Sequence, residues 1–151
     1  MTFFERYSIL KIYMETKIYD NLPQEARNIR TAVFIKEQKF ATEFDETDDR
    51  SKHLVVFDGQ TPIATCRFYC EDTKYIIGRI AVIREYRGKN IGSLLLRAAE
   101  KEIIERGGDE ALLHSQCAAK KFYEKNGYSL CSEIDYDEDC PHIWMSKKLN
   151  K

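Results

Sequence analysis

The chain has 151 residues, of which 43% are hydrophobic and 32% are charged, and its formal net charge is −1. This length favours one domain with a sizeable core, and this balance excludes a disordered chain and a general nucleic-acid binder, which would normally be basic. No run of residues is apolar enough to predict a membrane span, and no secretion signal is visible, so we expect a cytoplasmic protein without nucleic-acid or membrane partners.

The five cysteines indicate free thiols, because their number is odd and no secretion signal accompanies them. Cys140 and His142 stand close together, but cysteine or histidine pairs at the usual zinc-binding spacing are missing. We therefore expect no metal site. Residues 1–13 are predicted to form an N-terminal extension that packs on the body, and residues 14–151 to form a single domain.

The first half of this domain begins with a short strand and a helix. Glu15–Tyr19 is a strand candidate, and Asp20 or Asn21 is the expected cap of a helix that runs over Glu25–Gln38 at the period of an amphipathic helix. An acidic loop follows over Phe40–Lys52. Three strands joined by short turns come next, and such turns predict antiparallel pairing. These strands are His53–Phe57, Pro62–Cys70 and Tyr75–Ile83.

The second half alternates helices and strands. A helix over Ile91–Arg106 ends at a pair of glycines, in the manner typical of helix C-termini. The remaining predicted elements are a strand over Glu110–Ser115, a helix over Cys117–Asn126, and a final antiparallel pair over Tyr128–Glu133 and His142–Lys147 across the acidic turn Ile134–Asp139. The order β-α-β-β-β-α-β-α-β-β predicts a mixed α/β layer structure.

The stretch Arg79–Leu96 combines a strand, a basic turn with glycine, and the start of a helix. Backbone N–H groups at such a helix start point to one place, and the helix dipole adds partial positive charge there. The pattern predicts an anion site suited to phosphate or pyrophosphate, although the same pattern also occurs as a mere tight connection. The stretch lacks both the Walker sequence and the G-x-G-x-x-G fingerprint.

Two segments resemble the GNAT superfamily of N-acetyltransferases. Residues 82–96 resemble its acetyl-CoA-binding motif, Arg/Gln-x-x-Gly-x-Gly/Ala, with Arg87 at the first position and Gly92 at the last. The middle glycine is replaced by Asn90, and asparagine is the residue that best replaces glycine at positive φ. Residues 116–128 resemble a second family segment, Asn-x-x-Ala-x-x-Leu/Phe-Tyr-Glu-Lys-x-Gly-Phe, with Gln116 in place of the asparagine.

The resemblance implies a GNAT-like α/β fold, in which helices flank a mixed, mainly antiparallel, twisted sheet splayed between strands 4 and 5. It implies acetyl-CoA as the co-substrate, with its pantetheine arm along the fourth strand and its pyrophosphate on the turn. The implied cofactor-binding residues are Ile80, Ala81, Val82, Arg87, Gly88, Lys89, Asn90, Ile91, Gly92, Ser93, Gln116, Ala119 and Tyr123.

The expected reaction is acetyl transfer to a primary amine by direct attack in a ternary complex. Tyr123 stands where many family members carry a general acid, and a phenol with a pKa near 10 is protonated at neutral pH. The general base is open, because the fourth strand offers no carboxylate. The candidates are Glu37, Asp48, His53, His114 and His142, of which His114 and His142 are preferred, since histidine has a suitable intrinsic pKa. A structural histidine and a water chain are the alternatives.

The acceptor is expected to be a small-molecule or peptide amine, bound near the first helix and the acidic loop. The candidate acceptor-binding residues are Glu37, Gln38, Asp48 and His53. Their pattern resembles small bacterial acetyltransferases whose acceptors are mostly unassigned. The sequence leaves the oligomeric state open, with a homodimer as one candidate. Three alternatives stay open: a non-catalytic acyl-CoA sensor or interaction module, an acyltransferase that uses another acyl-CoA or an amino sugar, and a nucleotide-phosphate binder unrelated to CoA.

Overall fold

The computed structural model describes residues 14–41 and 43–150. The predicted N-terminal extension, residues 1–13, lies outside the described residues. The described strands are β1 (Met14–Tyr19), β2 (Lys52–Asp58), β3 (Thr61–Glu71), β4 (Lys74–Val82), β5 (Glu110–Gln116), β6 (Ser129–Leu130), β7 (Asp135–Asp137) and β8 (Cys140–Lys148). They form one sheet in the order β1-β2-β3-β4-β5-β8-β6, and β7 also pairs with β8.

The sheet opens between β4 and β5, which are the only parallel neighbours among the described strands. Their pairing covers residues 75–77 and 111–113 and then stops. At that point Arg79 takes a φ of 52°, and the register between β3 and β4 shifts. This bulge turns the end of β4 away from β5. The predicted mixed, mainly antiparallel sheet with a splay between strands 4 and 5 is therefore confirmed.

Helices cover both faces of the sheet. They are α1 (Gln24–Arg30), α2 (Ile91–Glu105) and α3 (Lys120–Lys125), with a π-helical segment over Thr31–Glu37 and 3₁₀ turns over Glu46–Arg50, Arg84–Tyr86 and Cys117–Ala119. Side chains of β2 alternate between the two layers: Leu54 and Val56 pack with α2, whereas Val55 and Phe57 pack with α1. This alternation is the expected result of the two-residue period of a strand.

The first predicted helix differs from the structure in two ways. Its second half is π-helical, with the N–H of Gln38 bonded to the carbonyl of Val33. The wider turn brings the consecutive residues Val33 and Phe34 to the sheet, where both are buried. The cap prediction was also wrong, because Pro23 occupies the N-cap position and no side chain caps the helix.

The C-terminal region contains a strand that the pattern did not predict. The predicted strand over residues 128–133 is reduced to the two residues of β6, and β7 lies inside the predicted acidic turn. Glu138 and Asp139 form the two-residue connection to β8, with φ values of 48° and 68°. Positive φ at both central residues is typical of a tight hairpin turn. The hairpin places β7 along the edge of β8 opposite β5, because His142 of β8 pairs with Gln116 on one side and with Asp135 on the other.

Candidate active site

The turn before α2 has the geometry of an anion site. Gly88 and Asn90 have φ values of 75° and 64°, so Asn90 adopts the left-handed conformation that the sequence predicted. The chain then enters the fifteen-residue helix α2 at Ile91 without a side-chain cap. The first N–H groups of a helix have no partner within the helix, so they are available to an anionic ligand at this turn.

A channel of about 930 Å³ runs from this turn along the open end of β4. Most of the predicted cofactor-binding residues line it: Ile80, Ala81, Val82, Arg87, Gly88, Asn90, Ile91, Gly92, Ser93, Ala119 and Tyr123. Sequence reasoning missed other lining residues, namely Val33, Tyr86, Leu94, Arg97, Phe122, Lys125 and Asn126. They come from the π-helical segment, the Arg84–Tyr86 turn, α2, α3 and the residue after α3, and only the helical spacing within α2 and α3 indicated a shared face.

Two predicted cofactor-binding residues do not line the channel. The ammonium group of Lys89 lies over the ring of Tyr86, 5.1 Å from its centroid. Gln116 faces a second cavity, and its amide donates a hydrogen bond to the side-chain oxygen of Gln38 at 2.7 Å. Gln38 itself lines both cavities.

Glu37 lies against the turn before α2, where its partner is Arg87. Its carboxylate accepts two hydrogen bonds from the Arg87 guanidinium, at 2.7 and 2.9 Å. The hydrogen bond from Arg87 lowers the pKa of Glu37 below its ordinary value. Arg87 also donates to the carbonyl of Val82 at 2.9 Å. Glu37 therefore orients Arg87, and it is not among the residues that line the second cavity.

The second cavity, called the chamber here, has a volume of about 170 Å³ and lies between β4, β5 and the β7–β8 hairpin. Its lining residues are Phe34, Gln38, Phe40, Glu43, Ile77, Gly78, Arg79, Ile80, Leu113, His114, Gln116, Ala119, Tyr123, Asp137 and His142. Gln38, Ile80, Ala119 and Tyr123 line both the chamber and the channel. The two cavities therefore meet at the splay of the sheet.

Tyr123 occupies this junction and is 9% exposed. Burial raises the pKa of the Tyr123 phenol above its ordinary value, with a smaller effect from Cys66. Residues 14–41 and 43–150 provide no hydrogen-bond partner for its hydroxyl. The phenol is thus protonated at neutral pH and free to donate a hydrogen bond into the junction.

His114 and His142 are brought together on one wall of the chamber, with ring centroids 4.7 Å apart. Nε2 of His114 lies 2.6 Å from Oδ1 of Asp135, which β7 supplies. His142 is 6% exposed, and its Nδ1 donates a hydrogen bond to the carbonyl of Cys140 at 2.9 Å. This bond fixes the tautomer of neutral His142, because Nε2 then carries the lone pair.

Asp48 and His53 lie outside both cavities, in a buried cluster of ionic groups. Asp48 accepts hydrogen bonds from Arg30 at 2.7 Å and from Arg67 at 2.9 Å. Burial acts to raise the pKa of Asp48, but the hydrogen bonds and charges of Arg30 and Arg67 lower it to about 2. Nε2 of His53 is 2.9 Å from the carbonyl of Asp48, and burial lowers the pKa of His53 below its ordinary value. Their partners hold both residues in the buried cluster, and neither of them lines the second cavity.

Glu43 connects this cluster to the chamber. Its Oε1 is 3.0 Å from Nε of Arg30 and 2.9 Å from Nε of Arg79. Burial raises the pKa of Glu43 above its ordinary value, although the charges of Arg79 and Arg30 oppose this effect. The sequence showed Glu43 only as one member of an acidic loop, because the residues that enclose it come from distant parts of the chain.

Among residues 14–41 and 43–150, no three His, Cys, Asp or Glu side chains are grouped as a metal ion would require. All five cysteines are free thiols, as predicted. In the same part of the chain, the helices are too short or too polar to cross a bilayer.

Comparison with known proteins gives consistent matches. Residues 19–149 match the family model of the acetyltransferase (GNAT) domain. The uncharacterized N-acetyltransferase YjcF of Bacillus subtilis is 34% identical over 127 residues, which cover 82% of this chain and 91% of that protein.

Solved structures share the fold. Escherichia coli ElaA has a TM-score of 0.79 at 24% identity, covering 89% of this chain and 99% of that one. An aminoglycoside 6′-N-acetyltransferase complexed with coenzyme A has a TM-score of 0.70 at 16% identity, covering 91% of this chain and 98% of that one. With the splayed sheet and the family match over residues 19–149, these findings show that the chain belongs to the GNAT family of acetyltransferases.

Proposed function

We propose that this protein transfers an acetyl group from acetyl-CoA to a primary amine, which attacks the thioester directly in a ternary complex. The observation that carries the proposal is the meeting of the channel and the chamber at Ile80 and Tyr123. Two separate cavities with one junction allow two substrates to be held with their reacting atoms in contact. Such positioning is a large part of the catalysis of bimolecular reactions.

The channel suits the shape and charge of acetyl-CoA, which supplies the acetyl group as a thioester. The start of α2 and Arg87 provide donors for the pyrophosphate, and Arg97 and Lys125 add positive charge to the same channel. The end of β4 has no β5 partner, so its backbone groups are free to pair with an extended amide-containing arm.

The chain's own groups serve the chemistry at the junction. The backbone N–H of Ile80, just after the bulge at Arg79, is the proposed donor to the thioester oxygen, where negative charge develops. Nε2 of His142 is the proposed acceptor of the amine proton, since Nδ1 is already engaged with Cys140. The Tyr123 hydroxyl is the proposed donor to the departing thiolate.

The chamber supports an enzyme over a non-catalytic acyl-CoA sensor, because a sensor would not need an open space beside the thioester. Thiol release from acetyl-CoA over a panel of primary amines tests the proposal. We expect turnover with at least one amine, and about a 100-fold slower rate for His142→Asn than for the native protein. Acetyl-CoA binding without thiol release from any amine would contradict the proposal and favour the sensor. If the acceptor is an amino sugar, thiol release will occur with the amino sugars of the panel and with no other amine.

A further inference from the structure

The buried carboxylate of Glu43 uses only one of its two oxygens within the described protein. Glu43 is 5% exposed, and Oε1 faces the guanidinium groups of both Arg30 and Arg79. The backbone carbonyl of Glu43 accepts further bonds from Arg30 at 2.9 Å and from Arg79 at 3.2 Å. The side chain is therefore held in one position by two arginines on different elements.

The second oxygen, Oε2, has no hydrogen-bond partner within residues 14–41 and 43–150. Glu43 lines the chamber, so a ligand bound there lies beside this side chain. Leaving a carboxylate oxygen unpaired at such a buried place is costly unless a ligand supplies the missing donor.

The charges around Glu43 favour a cationic ligand over an anionic one. The cluster contains three guanidinium groups and three carboxylates, and ionised Glu43 makes it electrically neutral. Arg79 is already bonded to Glu43 and Asp45. The chamber adds the Asp137 carboxylate and the rings of Phe34 and Phe40, whose centroids are 6.5 Å apart. Aromatic faces attract ammonium groups.

We propose that Glu43 determines the specificity for the acceptor, by binding the ammonium group of a cationic primary amine through its free carboxylate oxygen. The inference rests on the proposed function and adds to it the form in which the acceptor is recognised. The amine arrives protonated, and Glu43 holds it in the chamber beside His142. Neutral hydroxyl acceptors are disfavoured because they bring no positive charge to the second carboxylate oxygen.

The test compares two probes of equal length, n-butylammonium and 1-butanol, by ligand-observed NMR titration of the full chain with and without CoA. About 0.15 M salt is present to screen exposed carboxylates. We expect the native protein to bind the ammonium probe at least tenfold more tightly than the alcohol. Glu43→Gln, which keeps the shape and an acceptor oxygen, is expected to remove this preference.

The matched control is Asp45→Asn. Asp45 bonds to Arg67 at 2.6 Å and to Arg79 at 3.2 Å, so its substitution disturbs the same cluster, yet Asp45 does not line the chamber. We expect this variant to keep the preference for ammonium. The inference is overturned if the native protein shows no preference, if the preference survives in Glu43→Gln, or if Asp45→Asn abolishes it equally.

This binding measurement does not depend on turnover, so it tests the role of Glu43 separately from the proposed acetyl transfer. A preference for ammonium without thiol release on any amine would contradict the proposed function alone. Thiol release by a protein that binds both probes equally would contradict the role of Glu43 alone. If Glu43→Gln fails to fold, Asp137→Asn decides the inference, because Asp137 is the other carboxylate that lines the chamber, and loss of the preference in that variant would overturn the role of Glu43.

Discussion

At the residue scale, the hydroxyl of Tyr123 is the group that we assign to protonation of the departing thiolate. Tyr123→Phe removes only this oxygen from a buried ring, so packing and acetyl-CoA binding should be preserved. General-acid catalysis typically contributes 100-fold or more, and we expect kcat to fall by about that factor while the Kd for acetyl-CoA changes less than about twofold. Steady-state kinetics and calorimetric titration check the two values.

Tyr128→Phe is the matched control for this substitution. Tyr128 is also buried, and its hydroxyl donates to Glu100 at 2.8 Å, but it lines neither cavity. Loss of this hydroxyl and its hydrogen bond to Glu100 should lower the free energy of unfolding by about 1 to 3 kcal/mol and leave kcat unchanged. Equal kcat values for Tyr123→Phe and the native protein would exclude Tyr123 as the acid.

A second residue-scale prediction concerns Asp48 and low pH. Its pKa is about 2 in the folded protein against an ordinary value of 3.8, so its stabilisation is complete above about pH 4 and is lost as the pH falls towards 2. This shift corresponds to roughly 2 kcal/mol. Asp48→Asn should cost about 3 to 5 kcal/mol at neutral pH, because it removes the carboxylate that Arg30 and Arg67 share and leaves the buried cluster with one uncompensated positive charge.

Urea denaturation at pH 6, 4 and 3 measures both effects. The native protein should lose stability between pH 4 and pH 3 more steeply than Asp48→Asn, since the asparagine cannot titrate. Parallel pH profiles for the two proteins would show that the pKa of Asp48 is not lowered by folding.

At the element scale, the start of α2 is where the proposed pyrophosphate site depends on backbone geometry. A Cβ atom on Gly92 would lie 2.9 Å from the ring of Phe122. Gly92→Glu adds bulk and negative charge at this place, and we expect it to weaken acetyl-CoA binding by at least about 100-fold, as measured by calorimetric titration. Gly92→Ala is the control for bulk alone, and its loss of affinity should be much smaller.

Normal acetyl-CoA binding by Gly92→Glu would place the cofactor elsewhere. Equal losses in Gly92→Ala and Gly92→Glu would attribute the effect to Phe122 rather than to charge. Thermal unfolding of both variants shows whether α2 still packs on the sheet.

The same element shows what sequence patterns can predict. The strand, the turn with Asn90 at positive φ, and the apolar stripe of α2 all follow from local spacing and residue type. The π-helical segment over Thr31–Glu37 does not, because seven residues are too few for their apolar spacing to distinguish a π turn from an α turn. The strand β7 was not predicted either, because its charged residues are typical of a turn.

At the scale of the whole molecule, the splay between β4 and β5 creates both cavities at once. The family resemblance predicted this splay, and the channel residues could be named from two short motifs. The chamber could not be predicted in the same way, because Glu43, Arg79, His142 and Asp137 are separated in sequence and meet only through the sheet. The placement of Asp48 and His53 in the buried cluster likewise depends on Arg30 and Arg67, which lie on other elements.

The channel along β4 and the start of α2 is the proposed binding site of acetyl-CoA. Thermal unfolding with and without acetyl-CoA tests this binding most directly. A ligand that binds only the folded state at 100 times its Kd adds about 2.7 kcal/mol, which for a chain of this size raises Tm by roughly 5 to 10 °C. We predict such a rise for the native protein and its absence in Gly92→Glu. An unchanged Tm of the native protein at saturating acetyl-CoA would show that the folded protein does not bind acetyl-CoA in this channel.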